Sequence, residues 1–250
     1  MSTLPGTTGR RRVYLMRHGH VDYFAPELAA RGSVRDVRLT PRGRGEAEAA
    51  GHALAHVPLD RALCSGLPRA KETAGIVLGL QPAAPPLECN EDLAEIRGGR
   101  IINVAGRSEL IATMTFHFAR AADEGATMLD GGEAFAGAQA RATASLLRLL
   151  AEPGWKQALV VAHEGTNRLL LSWAAGAGLL ATKAFEQDTG CINVLDFDMV
   201  PGEDGSPGPD IARILIKAVN LTPYNWLKHG MNMTSIEAIF SRDPADSDRP

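Results

Sequence analysis

Residues Val13-Tyr14-Leu15-Met16 form an unbroken apolar run that passes directly into Arg17-His18-Gly19. A short continuous apolar segment reads as a strand buried on both faces, the kind found in parallel or mixed sheets covered by helices. Such a strand delivers a guanidinium and an imidazole to its C-terminal edge, where open α/β sheets bind ligands. The chain repeats the arrangement: Leu159-Val160-Val161-Ala162 leads into His163, and Ser65-Gly66-Leu67-Pro68-Arg69-Ala70 supplies a second arginine. Two histidines and two arginines facing one crevice would make an anion pocket.

The remaining pattern alternates strands with helices. Thr40 is a good N-cap, Pro41 suits the first helical position, and an alanine-rich helix is expected from there to about residue 56. Apolar periodicity predicts helices over 67–80, 132–151 and 166–177. Strands are expected over 61–64, 157–162, 191–197 and 211–219, with Pro201 to Pro209 a turn-rich connection. This order predicts an α/β chain, a three-layer α/β/α sandwich around a mostly parallel central sheet. Residues 10–240 are expected to form one domain, since 250 residues at 45% hydrophobic can bury one substantial core. Residues 1–9 and 241–250 are too polar to order themselves and read as tails. Residues 100–130 are a cap or lid insertion in this reading. There Leu110-Ile111-x-x-Met114-x-Phe116-x-Phe118 either packs on the core as a peripheral helix or shapes the pocket.

Charge and cysteine content exclude several classes. Acidic and basic residues are interspersed at a net charge of -3, which argues against nucleic acid as a partner. Arg10-Arg11-Arg12 reads as a solvated cluster at the start of the first strand. No apolar run approaches the ~20 residues needed to cross a bilayer, and no signal peptide is evident, so no membrane association is expected. Cys64, Cys89 and Cys191 are too few and scattered for a disulfide framework, which fits a cytoplasmic location. An exposed strand edge is compatible with a homodimer.

Four motifs occur in a fixed order between about residues 12 and 227: Arg17-His18-Gly19, Leu39-Thr40-Pro41-x-Gly43, Ser65-x-Leu67-x-Arg69-Ala70-x-x-Thr73-Ala74, and Val160-Val161-Ala162-His163. Together they resemble the histidine phosphatase superfamily, with its phosphoglycerate-mutase-like fold. The resemblance implies a cofactor-independent phosphomonoester hydrolase, needing no metal, that acts through a phosphohistidine on a small phosphorylated metabolite. His18 would be the nucleophile, attacking as neutral imidazole while its other ring nitrogen donates to a backbone carbonyl. Arg17 and Arg69 would grip phosphate oxygens through planar forks, and His163 would add a donor. The family's leucine-x-glutamate followed by glycine falls on Leu93 and Glu95, making Glu95 the expected proton donor, with Glu91 or Asp92 as alternatives.

The chain departs from the family pattern at His20, Val21 and Phe24, where related sequences carry a polar shell, and at Glu164, where they carry glycine. A carboxylate beside His163 would repel phosphate unless it turns away or pairs with an arginine. Arg31 is a further candidate for the phosphate pocket.

Other readings are weaker on spacing. His18-x-His20-x-Asp22 begins like a binuclear metal site, but Tyr23 follows where a histidine is wanted. Cys64 and Arg69 are separated by four residues, where the loop of cysteine phosphatases needs five. Within the fold, a phosphomutase is the rival; Glu95 and His163 lie 68 residues apart, which resembles the shorter phosphatases. A non-catalytic module that binds a phosphorylated ligand or partner is the other alternative.

Overall fold

The structure of the chain is a computed structural model that describes residues 9–25, 34–99, 107–202 and 207–241. Arg31 and most of both expected tails lie outside the described residues, as does part of the expected 100–130 insertion. Six strands form one sheet: β1 (Arg10–Arg17), β2 (Arg61–Cys64), β3 (Leu87–Cys89), β4 (Gln157–Ala162), β5 (Ile192–Pro201) and β6 (Pro207–Leu221). Their order is β3-β2-β4-β1-β5-β6. The pairs β3/β2, β2/β4 and β4/β1 are parallel, and β1/β5 and β5/β6 are antiparallel.

Alternation along β1 divides the core between two helical layers. Tyr14 and Met16 pack with Ala50 and Leu54 of α1 (Pro41–Leu54) and with Ala70, Ala74 and Val77 of α2 (Pro68–Gly79). Val13 and Leu15 face the opposite way, toward Leu146 and Leu150 of α4 (Phe135–Ala151) and Leu170 of α5 (Glu164–Ala174). The expected α/β/α sandwich is therefore present. Two further helices, α3 (Arg107–Phe116) and α6 (Ser235–Ser241), pack against one another beyond the sheet.

Several boundaries shift for identifiable reasons. The helix expected from 132 starts at Phe135, because Gly132 is spent in a turn to the Leu129 carbonyl. The helix expected over 166–177 runs from Glu164 to Ala174 and ends ahead of Gly176, whose φ of 70° is left-handed. β6 begins at Pro207, inside the stretch read as loop, and β3 and α6 were not expected at all. Ser241, assigned to the tail, closes α6. The arginine cluster is not simply solvated: Arg10 and Arg12 pair with Asp198 and Asp196 on β5 at 2.8 and 2.7 Å, while Arg11, only 2% exposed, lies over the Trp155 ring on the other face.

The topology also locates a crevice. The chain leaves β1 toward β2 and leaves β4 toward β5, in opposite directions from adjacent parallel strands. A reversal of this kind opens the sheet's C-terminal edge to a ligand.

Candidate active site

Register brings the site together. Arg17 pairs with Ala162 across β1 and β4, and Cys64 pairs with Val161 across β2 and β4. The next residues along these strands, His18, His163 and Ser65, consequently emerge side by side. Their amides continue the ladder, with His18 N–H donating to the Ala162 carbonyl at 3.2 Å and Ser65 N–H to the Val161 carbonyl at 3.2 Å.

Gly19 lets the strand end approach the N-terminus of α1. A Cβ at Gly19 would stand 2.2 Å from the Gly43 carbonyl oxygen, and one at Gly43 would stand 2.1 Å from that of His20. The Arg17-His18-Gly19 and Leu39-Thr40-Pro41-x-Gly43 motifs are two halves of one backbone contact. It is fixed by Thr40, which accepts from Gly43 N–H as N-cap at 3.1 Å, and by Thr73 Oγ1, which accepts from Gly19 N–H at 3.0 Å.

His18 is buried, with Nδ1 2.8 Å from the Gly19 carbonyl oxygen. A carbonyl can only accept, so Nδ1 carries the proton and Nε2 keeps its lone pair. Arg69 Nε donates to that lone pair at 3.2 Å. Burial first, then Arg69 and Arg17, pushes the His18 pKa well below the ordinary histidine value. His163 is equally buried, its Nε2 2.7 Å from Ser65 Oγ. Although it stands at the N-cap position of α5, its side chain makes no capping bond. Its Nδ1 has no partner among the described residues, and burial, Arg69 and His18 depress its pKa.

Arg17 is 2% exposed. Its Nη1 donates to the Gln187 carbonyl and lies 3.2 Å from Glu164 Oε2, while its buried Nε has no partner among the described residues. Arg69 lies with its guanidinium 5.9 Å from the Tyr23 ring centroid. Glu164, the departure beside His163, is also gripped by Arg168 at 2.9 Å and accepts from Ser235 Oγ at 2.8 Å.

Glu95 reaches the N-terminus of α5. Its Oε1 accepts from Thr166 N–H at 3.2 Å and from Ile96 N–H at 2.9 Å, and its Oε2 from Gly165 N–H at 3.1 Å. Gly165 makes this contact sterically feasible, since a Cβ there would come within 2.6 Å of Glu95 Oε1. Desolvation raises the Glu95 pKa and outweighs the backbone bonds that oppose it. The alternatives Glu91 and Asp92 stand apart: both belong to a 3-10 turn, Glu91 is exposed, and Asp92 pairs with Arg148.

Five of the six residues singled out in the sequence, Arg17, His18, Arg69, Glu95 and His163, thus lie at one sheet edge, and Arg31 lies outside the described residues. Ser65, Gln187, Ser235 and Arg168 were not singled out. Ser65 was traceable as the residue following β2, whereas Gln187 acts through its carbonyl, which no side-chain pattern signals. His18, His20 and Asp22 do not converge on an ion: His20 Nδ1 meets Thr40 Oγ1 at 2.9 Å and Asp22 accepts from Phe24 N–H at 2.8 Å. No group of three potential metal ligands occurs among the described residues.

Residues 13–200 match the sequence pattern of the histidine phosphatase superfamily, branch 1. The chain belongs to this superfamily. Among the relatives of this histidine phosphatase chain is the adenosylcobalamin/alpha-ribazole phosphatase of Salmonella typhi, 27% identical over 190 residues, covering 74% of this chain and 90% of that protein. A 2-carboxy-D-arabinitol-1-phosphatase of Triticum aestivum is 28% identical over 88% of this chain and 42% of its own length. Among solved structures, a mycobacterial glucosyl-3-phosphoglycerate phosphatase aligns with a TM-score of 0.66 at 20% identity, over 85% of this chain and 99% of that one. The alpha-ribazole phosphatase structure from Shigella flexneri aligns with a TM-score of 0.60 at 24% identity, over 84% of this chain and 96% of that one.

Proposed function

We propose that this histidine phosphatase chain is a phosphomonoester hydrolase acting through a phosphohistidine on His18, with a small phosphorylated metabolite as substrate. The observation that carries this reading is the state of His18: buried, held neutral, with Nδ1 bound to the Gly19 carbonyl and Nε2 presenting its lone pair beside Arg69. The phosphatase names of its relatives support the same reaction class.

In this reading Arg17 and Arg69 hold the phosphate oxygens, and His163 donates to one of them from Nδ1 once the phosphate dianion has raised its pKa. His18 Nε2 attacks phosphorus as the bond to the ester oxygen breaks. Glu95, its pKa raised, gives its proton to the departing oxygen. Water then attacks the phosphohistidine, Glu95 takes a proton from that water, and inorganic phosphate and free His18 result. The chemistry is positioning and charge stabilisation throughout.

We also propose a cytoplasmic setting, supported by Cys64 and Cys89, two free thiols on neighbouring strands with sulfurs 3.7 Å apart. The function is tested with a panel of phosphomonoesters, assayed with and without chelator. Chelator-insensitive release of phosphate that disappears in His18→Ala is expected; turnover that survives in His18→Ala would overturn the reading.

A further inference from the structure

Resting on the phosphatase reading, we infer that Glu164 is a built-in counter-ion that competes with phosphate for Arg17, weakening the hold on the phosphoryl group and speeding release of inorganic phosphate. It stands immediately after His163 as the first residue of α5. The side chain does not turn away from the pocket. Its Oε2 lies 3.2 Å from Arg17 Nη1, and both side chains of this pair are almost fully buried.

The carboxylate would be satisfied without Arg17. Arg168 donates to Oε1 from Nε and Nη2 at 3.2 and 2.9 Å, and Ser235 donates to Oε2 at 2.8 Å. Burial opposes its charge, but Arg17, Arg168 and the Ser235 hydroxyl together hold its pKa below the ordinary glutamate value, so it is ionised at neutral pH. Arg168 in turn pairs with Glu186 at 2.8 Å. Arg17, Glu164, Arg168 and Glu186 therefore alternate in sign and cancel. An incoming phosphate dianion meets Arg17 already neutralised on its Nη1 side, with Nε left for the ligand.

A fixed negative charge beside the phosphate subsite weakens ester and product alike, because both present the same dianion. Such uniform weakening raises KM and the phosphate inhibition constant together. Affinity for substrate must then come mainly from the leaving group. Glu164 thereby sets how tightly the phosphoryl group is held and how fast inorganic phosphate leaves.

Isothermal titration of wild type and Glu164→Gln with inorganic phosphate, paired with product-inhibition kinetics, tests this. Glutamine keeps the size of the side chain, its amide oxygen can still accept from Arg168 and its NH2 can donate to Ser235 Oγ, while the charge is removed. Phosphate should bind Glu164→Gln about tenfold or more tightly than wild type, from the loss of one unit charge close to a dianion in a weakly screened site. KM and the phosphate inhibition constant should fall by the same factor, with kcat reduced where phosphate release limits it. If Glu164→Gln fails to melt cooperatively, Glu164→Gly should show the same tightening. Equal or weaker phosphate binding in the charge-removed variant would overturn the inference and make Glu164 a support for Arg17. Absence of phosphate binding in both proteins would instead overturn the phosphate pocket itself.

Discussion

His18 and His163 stand with ring centroids 5.1 Å apart and planes at 61°, both buried at the ends of adjacent parallel strands. Burial first, then Arg69 and Arg17, opposes a charge on either ring, His18 opposes it further on His163, and both pKa values lie well below the ordinary histidine value. A pKa depressed in the folded state means that the unfolded chain binds more protons once pH falls below about 6.5. The stabilisation these groups provide is therefore fully present above that pH and lost as pH falls. Denaturant unfolding should show stability declining below about pH 6.5 by up to roughly 1.4 kcal/mol per pH unit for each such histidine. A shallower slope in His163→Ala is expected; an unchanged slope would mean that His163 is not held neutral.

Glu95→Gln should slow esters with poor leaving groups by about 10² to 10⁴ and aryl phosphates far less. Because the Glu95 pKa is raised, wild-type activity should fall as pH rises past it, and the glutamine variant should lose that limb of the profile. Gly165→Ala should reproduce the leaving-group dependence by pushing the carboxylate off the α5 amides. Equal losses on both ester types would remove Glu95 from the proton-donor role.

Arg69→Lys should lower kcat/KM by about 10- to 100-fold, the worth of a lost charged hydrogen bond, because an ammonium cannot reproduce a planar fork on the phosphate oxygens. Near wild-type efficiency in this variant would show that the fork geometry is unused.

The segment at the end of α3 divides into two roles. Phe118 is buried among Phe135, Ile96 and Ile236 with Arg168 4.8 Å over its ring, whereas Phe116 is 66% exposed. Phe118→Ala should cost about 3 to 5 kcal/mol in unfolding free energy. Phe116→Ala should change stability by less than about 0.5 kcal/mol and lower kcat/KM only for substrates with an apolar leaving group. Unchanged preference among substrates would leave Phe116 without a role at the pocket.

The sheet edge was legible in the sequence because continuous apolar runs end directly on Arg17-His18 and on His163, so local pattern and site coincide. Glu95 was legible only through the family motif, since nothing in its own neighbourhood says that α5 amides will receive it. β3 escaped because three residues of mixed exposure carry no periodicity. α6 did have a local signal, a capping box in which Thr234 Oγ1 accepts from Glu237 N–H at 3.2 Å and Glu237 accepts from Thr234 N–H at 2.7 Å. The contact of Ser235 with Glu164 spans 71 residues and was invisible for that reason. The fate of the arginine cluster depended on its antiparallel partner: β5 supplies Asp196 and Asp198 opposite Arg12 and Arg10, and no local feature announces that pairing.

The proposed mechanism turns on the covalent phosphohistidine intermediate. Rapid acid-free quenching of the enzyme with a radiolabelled phosphomonoester, followed by peptide mapping, tests it directly. One phosphate per chain is expected on His18, stable to base, labile to acid and absent from His18→Ala. Turnover with no label on His18 at any time, or label on another residue, would contradict it.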